Sequence, residues 1–341
     1  MSKKTSIAER KIGQEYPPFV VAEIGMNHNG KLELAEEMIE AAANSGADAV
    51  KFQTYKTETY FSDDYSDFSQ RKEYELEPEW HKRLQEVADL HDVKFISTPF
   101  DRQSVDLLAK IDVPCYKIAS FDVTNHHLLR YVAEKEKPII LSTGYSTHSE
   151  IAEAVEVIKE AGNNQLILLH CISEYPTEIE KMNLKAIKTL QNSFDIPIGL
   201  SDHSQGTVAS VIASSMGASV IEKHFTLDNN LPGYDHAMSE TPESFDRLTT
   251  QVKQSHKALG EGGLQPTDNE KESLPEARRT LHWAGSYDKG VEITEDMVLP
   301  LRPGGGMSVD ELKYILGKNL VENVEERSRI RRSHVNWDNN Q

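Results

Sequence analysis

Short apolar runs alternate with longer amphipathic stretches along most of the chain, from Phe19 to about Gly260. The runs are rich in Val, Ile and Phe, a composition typical of buried parallel strands. In chain order they are "FVVAEIG" (19–25), "AVKFQTY" (49–55), "KFISTPF" (94–100), "CYKIAS" (115–120), "PIILSTG" (138–144), "LILLHC" (166–171), "PIGLSDH" (197–203) and "SVIEKHF" (219–225). The pattern therefore predicts eight strands.

The stretches between the runs place apolar residues three and four positions apart, which is the period of an amphipathic helix. The first, "LELAEEMIEAAANSGA", ends at a glycine, a common signal for the end of a helix. A second, "SEIAEAVEVIKEAG", also ends at glycine, and Ser149 is predicted to cap its start. Two more, "TVASVIASSMGA" and "PESFDRLTTQVKQSHKALG", follow the last strands.

Eight strands alternating with helices over about 240 residues predict an α/β fold, a (β/α)₈ TIM barrel, which typically needs ~250 residues. An open doubly wound sheet is the alternative. The strand count favours the barrel, as does the lack of a Gly-x-Gly-x-x-Gly motif after the first strand. An acidic, aromatic insertion, "YFSDDYSDFSQRKEYELEPEW", follows the second strand, where barrels carry substrate loops.

The composition and the apolar periodicity of the chain change after Gly260. The segment "GEGGLQPTDNEKESLPEARR" is rich in glycine, proline and charge and has no apolar period, so it predicts a linker. We therefore expect a catalytic barrel domain over 1–262, a linker over 263–280 and a small second domain over 281–341. That domain shows short β-like runs and one short helix, "SVDELKYIL". A domain of this size has only a small hydrophobic core, so we expect it to pack against the surface of a partner.

Composition narrows the class of protein. The net charge of −18 gives the chain no electrostatic reason to bind nucleic acid or an anionic membrane. The two cysteines, Cys115 and Cys171, lie in apolar runs and are expected to be free, buried thiols in a reducing compartment. No signal peptide is indicated in the first 18 residues, and no run is long enough to span a membrane. A cytoplasmic protein is expected.

The predicted strand ends are strongly polar. Burying a polar group without a partner costs about 1–3 kcal/mol, and a charge costs more. A barrel mouth surrounded by such groups therefore predicts a polar, charged ligand. The residues are Glu23, Lys51, Gln53, Ser97, Thr98, Lys117, Ser120, Ser142, Thr143, His170, Ser201, Asp202, His203, Glu222, Lys223 and His224.

The residue types indicate which ligand. Lys51 and Lys117 supply cations, and the hydroxyl residues lie near predicted helix N-termini, so together they predict a phosphate or carboxylate pocket. His203 and His224 end consecutive strands and can hold a divalent metal together with water and substrate oxygens. Alternatives stay open at this point. Strand-end histidines are often structural, and a strand-end lysine often pairs with a neighbouring glutamate.

Ten motifs in register carry a family resemblance from about Phe19 to the C-terminus. They are "VAEIGMNHNG", "AVKFQTY", "ISTPF", "YKIAS", "PIILSTG", "LHCISEYPT", "GLSDHS", "IEKHFTLD", "LPGYDH" and "LRPGGG". With them the chain resembles the sialic acid (N-acetylneuraminate) synthase family, which includes legionaminate and pseudaminate synthases and spore-coat polysaccharide proteins. The resemblance implies a C-terminal antifreeze-like (SAF) domain.

It also implies a reaction. Family members join phosphoenolpyruvate (PEP) to the open-chain aldehyde of an N-acetylated hexosamine, with C–O cleavage, and release a nine-carbon 2-keto sugar acid and phosphate. The implied metal is Mn²⁺, with Mg²⁺ as a substitute, on His203 and His224. The residues that match PEP-binding positions are Lys51, Thr98, Lys117, Ser120, Ser142 and Ser201.

The resemblance assigns the remaining roles as well. Glu23 is expected to handle a proton, so that Glu23, Lys51 and Lys117 form the catalytic set. The positions matching sugar contacts are Gln53, Asp122, Tyr175, Asp235 and Arg302. The last would come from the partner subunit of a domain-swapped homodimer, which would also explain the thin second domain.

The identity of the hexosamine stays open on the sequence. The run "ASFD" places Asp122 where sialic acid and legionaminate synthases usually have glutamate, and "KIAS" followed by an aromatic residue resembles the pseudaminate and spore-coat branches. The run "LPGYDH" keeps a Pro-Gly-x-Asp that pseudaminate synthases tend to lack. Two rival functions also stay open. One is an aldolase forming a Schiff base on Lys117 or Lys51, and the other is a non-catalytic family member.

Overall fold

Eight parallel strands close into a barrel in this computed structural model, which describes residues 4–338. Each strand pairs with the next along the chain, and the last pairs with the first, with Val220 opposite Phe19. The predicted (β/α)₈ barrel is confirmed, and the open sheet is excluded. The strands are β3 (Phe19–Gly25), β4 (Ala49–Thr54), β5 (Lys94–Pro99), β6 (Tyr116–Ile118), β7 (Ile139–Ser142), β8 (Leu166–Cys171), β9 (Ile198–Asp202) and β10 (Val220–His224).

A short antiparallel hairpin, β1 (Lys4–Ile7) and β2 (Arg10–Gly13), precedes the barrel. The sequence pattern did not predict it. Ile7 and Ile12 are fully buried and cluster with inward-facing strand residues such as Phe19. Because Phe19 begins the first barrel strand, the hairpin covers the end of the barrel opposite the carboxyl ends of the strands.

Helices on the outside of the barrel follow the predicted series. They bury their apolar faces on outward-facing strand residues, including Val20, Val50 and Phe95. The helices of this first unit are α1 (Leu32–Asn44), α2 (Thr57–Tyr60), α3 (Phe68–Glu73), α4 (Pro78–Leu90), α5 (Arg102–Lys110), α6 (His126–Ala133), α7 (His148–Glu160), α8 (Lys185–Ser193), α9 (Val208–Ser215) and α10 (Pro242–Leu259). The short α2 and α3 lie in the aromatic insertion.

The start of α7 corrects one prediction. Thr147, not Ser149, caps the helix, because its hydroxyl accepts from the Glu150 backbone N–H while the Glu150 carboxylate accepts from the Thr147 N–H at 2.7 Å. This reciprocal pair satisfies two backbone donors, whereas Ser149 lies inside the first turn. The last helix of the barrel, α10, ends at Gly260, which adopts a positive φ of 57°.

The chain divides into two compact units between Glu261 and Gly262. Within the expected linker over 263–280, Asp268–Ala277 form a helix, α11. A capping box between Thr267 and Glu270 starts it. None of its side chains is buried, so no apolar period marked this helix in the sequence.

The second unit has its own core. Two antiparallel strands, β11 (Thr280–Trp283) and β12 (Val298–Leu301), form its regular sheet. The predicted helix in "SVDELKYIL" is a 3₁₀ helix over Val309–Tyr314. The buried core consists of Leu281, Trp283, Ile293, Met297, Val298, Met307, Ile315, Leu320, Val324, Ile330 and Val335.

No helix within residues 4–338 combines the length and the apolar character that crossing a bilayer requires.

Candidate active site

The two-residue period of the strands sorts the polar strand ends into two groups. On β10, Glu222 and His224 face the inside of the barrel, while Lys223 points outward and forms an ion pair with Asp202 at 3.1 Å. On β5, Thr98 faces inward and Ser97 outward, where it contacts Thr54. Only the inward group can therefore contact a ligand in the barrel mouth.

The inward group lines a cavity of about 480 Å³ at the carboxyl ends of the strands, where TIM barrels carry their active sites. Twelve predicted site residues lie together there. They are Glu23, Lys51, Gln53, Thr98, Lys117, Ser120, Ser142, Tyr175, Ser201, His203, His224 and Asp235.

Two predicted residues lie elsewhere. Asp122 is outside the set that lines the cavity. It is buried in a 3₁₀ helix, where its Oδ1 accepts from Asn125 at 3.0 Å and its Oδ2 has no partner. Arg302 belongs to the second unit, where its Nε donates to the Glu276 carbonyl at 3.2 Å.

Two lysines and two glutamates form a charge cluster on the cavity floor. Lys51 Nζ lies 2.7 Å from Glu23 Oε2 and 3.8 Å from Glu222 Oε1. Lys117 Nζ lies 3.6 Å from the same Glu222 oxygen, which also accepts from Ser201 at 3.1 Å. All four charged side chains are at most 6% exposed. Buried charges are tolerated when they are paired, and these four are.

The surroundings separate the pKa values of the two carboxyl groups. Burial raises the pKa of Glu23 to about 7, although Lys51 opposes this. Burial also acts to raise the pKa of Glu222, but Lys117 and Lys51 lie on either side of it and bring it below its ordinary value. Burial lowers the pKa of Lys117. Of these two carboxyl groups, Glu23 is therefore the one that can exchange a proton near neutral pH.

Hydroxyl groups surround the two lysines. Lys51 donates to Thr98 Oγ1 at 3.3 Å. Ser142 Oγ is buried without a partner, so it is available to a ligand. Ser120 Oγ accepts from the Gly144 N–H at 2.9 Å. A Cβ at Gly144 would lie 2.3 Å from Ser173 Oγ, so only glycine permits this close approach.

The histidine pair lies at another part of the cavity. The ring centroids of His203 and His224 are 5.4 Å apart, and Tyr175 packs against His203 at 4.1 Å. His203 Nδ1 lies 2.8 Å from the Ile172 carbonyl, which orients the ring as in many metal sites. His224 Nδ1 is buried without a hydrogen-bond partner, 3.7 Å from Asp235 Oδ2.

These residues fit a metal held by two protein ligands. Burial, the largest cause, lowers the pKa of His224 well below its ordinary value, so its imidazole is neutral as a metal ligand must be. Within residues 4–338 there is no group of three or more His, Cys, Asp or Glu side chains placed to hold an ion. Water and substrate oxygens would have to complete the coordination.

Both cysteines are free and buried, as predicted, but they differ in surroundings. Cys171 lines the cavity with its Sγ 3.8 Å from His203 Nδ1. Burial acts to raise the pKa of this thiol, but the contact with His203 lowers it to about 7. Burial, together with the negative charge of Glu222, raises the pKa of Cys115 to about 12.

Sequence reasoning missed several cavity residues. Glu222 was recognised as a polar strand end but received no role, although its two-residue offset from His224 could have placed it inward. Nine others lie after the strands, four of them in the aromatic insertion, where the periodicity could not orient the side chains. They are Met26, Tyr60, Phe61, Tyr65, Arg71, Phe100, Phe121, Tyr145 and Tyr234.

A closed barrel with paired lysines, glutamates and histidines at its mouth defines a barrel enzyme for a small, charged substrate. Residues 38–263 match the NeuB family, and the chain belongs to that family, which confirms the expected resemblance. A N,N'-diacetyllegionaminic acid synthase of Legionella pneumophila is 37% identical and covers 95% of this chain and 96% of its own. A pseudaminic acid synthase of Campylobacter jejuni is also 37% identical, over 90% of this chain and 93% of its own.

Among solved structures, similarity is again found to a synthase-type enzyme. The crystal structure of an N-acetylneuraminic acid synthetase from Leptospira borgpetersenii, in complex with citrate, has a TM-score of 0.77 and 38% identity. The match covers 80% of this chain and 96% of that one. These similarities identify the chain as an enzyme of the synthase type.

Proposed function

We propose that the chain condenses PEP with an N-acetylated hexosamine to a nine-carbon 2-keto sugar acid and phosphate, as a metal-dependent synthase of the sialic, legionaminic or pseudaminic acid type. One observation carries the proposal: Lys51, Lys117 and the neighbouring hydroxyls form an anion pocket in the same cavity as the His203–His224 pair. The family relationship supports it independently.

The anion pocket suits PEP. Its phosphate and carboxylate together need several cationic and hydrogen-bond donors, and the pocket provides two ammonium groups and several hydroxyls. The proposed set is Lys51, Thr98, Lys117, Ser120, Ser142 and Ser201. The unpaired Ser142 hydroxyl is a donor without another use in the described residues.

The reaction forms a C–C bond and a C–O bond and breaks the C–O bond to phosphate, while the aldehyde oxygen takes up a proton and C2 becomes the ketone. C3 of PEP bonds to the aldehyde carbon, water adds at C2, and the C2–O bond to phosphate breaks. Glu23, with a pKa of about 7, is placed to take the proton of the water. Lys51 and Lys117 offset the negative charge of the departing phosphate.

The histidine pair is proposed to hold a divalent ion, with Mn²⁺ preferred and Mg²⁺ as a substitute. A bound ion supplies Lewis-acid polarisation of an aldehyde oxygen. The unpartnered His224 Nδ1 supports this use. Gln53, which donates to Glu23 at 3.2 Å, Tyr175 and Asp235 are the proposed sugar contacts on the cavity wall.

Two further parts of the proposal lie outside the cavity. The second unit is proposed to be an SAF domain whose Arg302 contacts the sugar in the partner subunit of a domain-swapped homodimer. Asp122 remains a proposed sugar contact, and its buried oxygen without a partner would favour one. A cytoplasmic location remains part of the same proposal.

Phosphate release tests the function directly. The full chain is incubated with PEP and Mn²⁺, and with N-acetylmannosamine, its 6-phosphate or a 2,4-diacetamido-6-deoxy hexose. PEP labelled with ¹⁸O in the bridging position should give labelled phosphate, because the C–O bond breaks. Borohydride trapping with pyruvate is the counter-test. A covalent adduct on Lys51 or Lys117 would replace the synthase with a Schiff-base aldolase.

A further inference from the structure

Arg71 is a cavity-lining cation that the proposed reaction does not use. It lies on α3, in the aromatic insertion after β4. Among the residues that the structure describes, it forms no ion pair with a carboxylate, and its Nε is buried without a hydrogen-bond partner. Its Nη1 donates to the sulfur of Met26, at 2.9 Å, and a thioether is a weak acceptor. Donors withdrawn from water in this way favour a ligand that supplies an acceptor.

Aromatic rings surround this guanidinium. It lies 4.0 Å from the ring centroid of Tyr234 and 5.6 Å from that of Phe61. These contacts hold it in place, because a guanidinium stacks favourably on aromatic faces. The rings that line this side of the cavity are Tyr60, Phe61, Tyr65, Phe100, Phe121 and Tyr234.

Arg71 differs from the other two cations that line the cavity, because those two are paired with carboxylates. Of the lysines and arginines that line the cavity, the remaining two are Lys51 and Lys117, and both are paired on the floor with Glu23 or Glu222. Burial raises the pKa of Asp235, the residue after Tyr234, and the positive charge of Arg71 opposes this rise. The Arg71 side of the cavity thus has one guanidinium held in place by stacking, several aromatic ring faces and the carboxyl group of Asp235.

We propose that Arg71 and the surrounding rings form the subsite for a second acetamido group, so that the preferred sugar is a neutral 2,4-diacetamido-6-deoxy hexose. This rests on the proposed function and selects one substrate class within it. The acetamido carbonyl would accept from the guanidinium, and the acetamido methyl would pack on the ring faces. The deoxy end of the sugar would suit the same apolar wall.

A sugar phosphate fits this subsite poorly. A phosphate monoester carries about −1.5 to −2 charges and three acceptor oxygens. The single Arg71 guanidinium cannot satisfy all of them, so the remaining oxygens would face aromatic rings. An acetamido group has one acceptor and one methyl group, which matches a single guanidinium among rings.

The test measures kcat/KM for phosphate release from PEP with three sugars, using the full chain loaded with Mn²⁺. The sugars are the 2,4-diacetamido-6-deoxy hexose, N-acetylmannosamine and N-acetylmannosamine 6-phosphate. Wild type should prefer the first. Arg71→Met should lower kcat/KM for the first sugar about 10- to 100-fold, the range for losing a hydrogen bond to a charged group. The KM for PEP and the rate with N-acetylmannosamine should stay within about threefold.

Two variants control the result. Arg71→Lys keeps the charge but not the planar fork and should give an intermediate loss. Arg83→Gln removes an arginine that pairs with Glu36 on the outside of the barrel, at 2.6 Å, and should change none of the three rates. An unchanged PEP KM in Arg71→Met also shows that the barrel has folded.

The failures are distinguishable. Turnover with equal preference for all three sugars, or a preference for the 6-phosphate that Arg71→Met abolishes, overturns the acetamido subsite and leaves the synthase intact. A loss of all three rates in equal proportion assigns Arg71 to folding and also overturns the subsite. Release of phosphate with none of the sugars overturns the proposed function and, with it, this inference.

Discussion

Glu222→Gln is the sharpest test of the charge cluster on the cavity floor. The substitution keeps the size of the side chain and an oxygen that can accept from Ser201, but removes the negative charge between Lys51 and Lys117. At the observed separations of 3.8 and 3.6 Å, each attraction amounts to about 4 kcal/mol with an effective dielectric constant of about 20. Glu23 would then be the remaining carboxylate of the cluster.

The expected net effect on stability is smaller than the summed attraction. Removing one partner of a buried ion pair costs about 3–5 kcal/mol. Urea denaturation followed by circular dichroism should therefore show a free energy of unfolding lower by about that amount. Inorganic phosphate should restore much of it, because an anion compensates the two lysines; at 100 times its Kd it contributes about 2.7 kcal/mol.

A matched control comes from the surface. Glu58 pairs with Lys72 at 2.8 Å, but their side chains are 57% and 45% exposed, so Glu58→Gln should lower the free energy of unfolding far less than Glu222→Gln does. Equal stability of Glu222→Gln and wild type in the absence of phosphate would refute the reasoning. A loss in Glu58→Gln as large as in Glu222→Gln would refute the role given to burial.

Four further predictions follow from the same geometry. His203→Ala or His224→Ala should abolish Mn²⁺-dependent turnover with little change in the circular dichroism spectrum; calorimetric Mn²⁺ titration should show lost binding, and undiminished binding would remove the metal site. Glu23, with a pKa of about 7, is neutral below that value and ionised above it, so the rate should rise with pH through about 7, and Glu23→Gln should lack this rise. Arg302→Ala should raise the KM for the sugar far more than that for PEP; an equal rise would contradict a sugar contact. Thr147→Ala should lower the free energy of unfolding by about 1 kcal/mol through loss of the α7 cap, and a denaturation midpoint equal to that of wild type would contradict it.

Local patterns predicted the barrel well, because a parallel sheet buried on both faces requires continuous apolar runs. Local patterns failed for two elements that bury few or no apolar side chains. The β1–β2 hairpin has only two fully buried side chains, Ile7 and Ile12, too few for a visible period. Helix α11 buries none and depends on its capping box, which a composition rich in glycine and charge concealed.

The candidate site shows the same division. Strand-end residues such as Lys51 and His224 were predictable because the carboxyl ends of parallel strands meet at one edge. Arg71 was not, because it lies in a loop where neither period applies and its orientation depends on Tyr234, which is far away in sequence. Asp122 is a different case, since its motif position predicts a sugar contact, while in the structure it lies outside the set that lines the cavity and accepts from Asn125.

The sequence by itself determined the number and order of the strands, the inward or outward alternation along them and the types of residue at their ends, because each depends on neighbours within a few positions. Tertiary structure alone decided which charges are paired. Glu222 lies between two lysines from other strands, and Arg71 lies among rings from four different loops. Charge pairing depends on distances between residues remote in sequence, and closure of the barrel sets those distances.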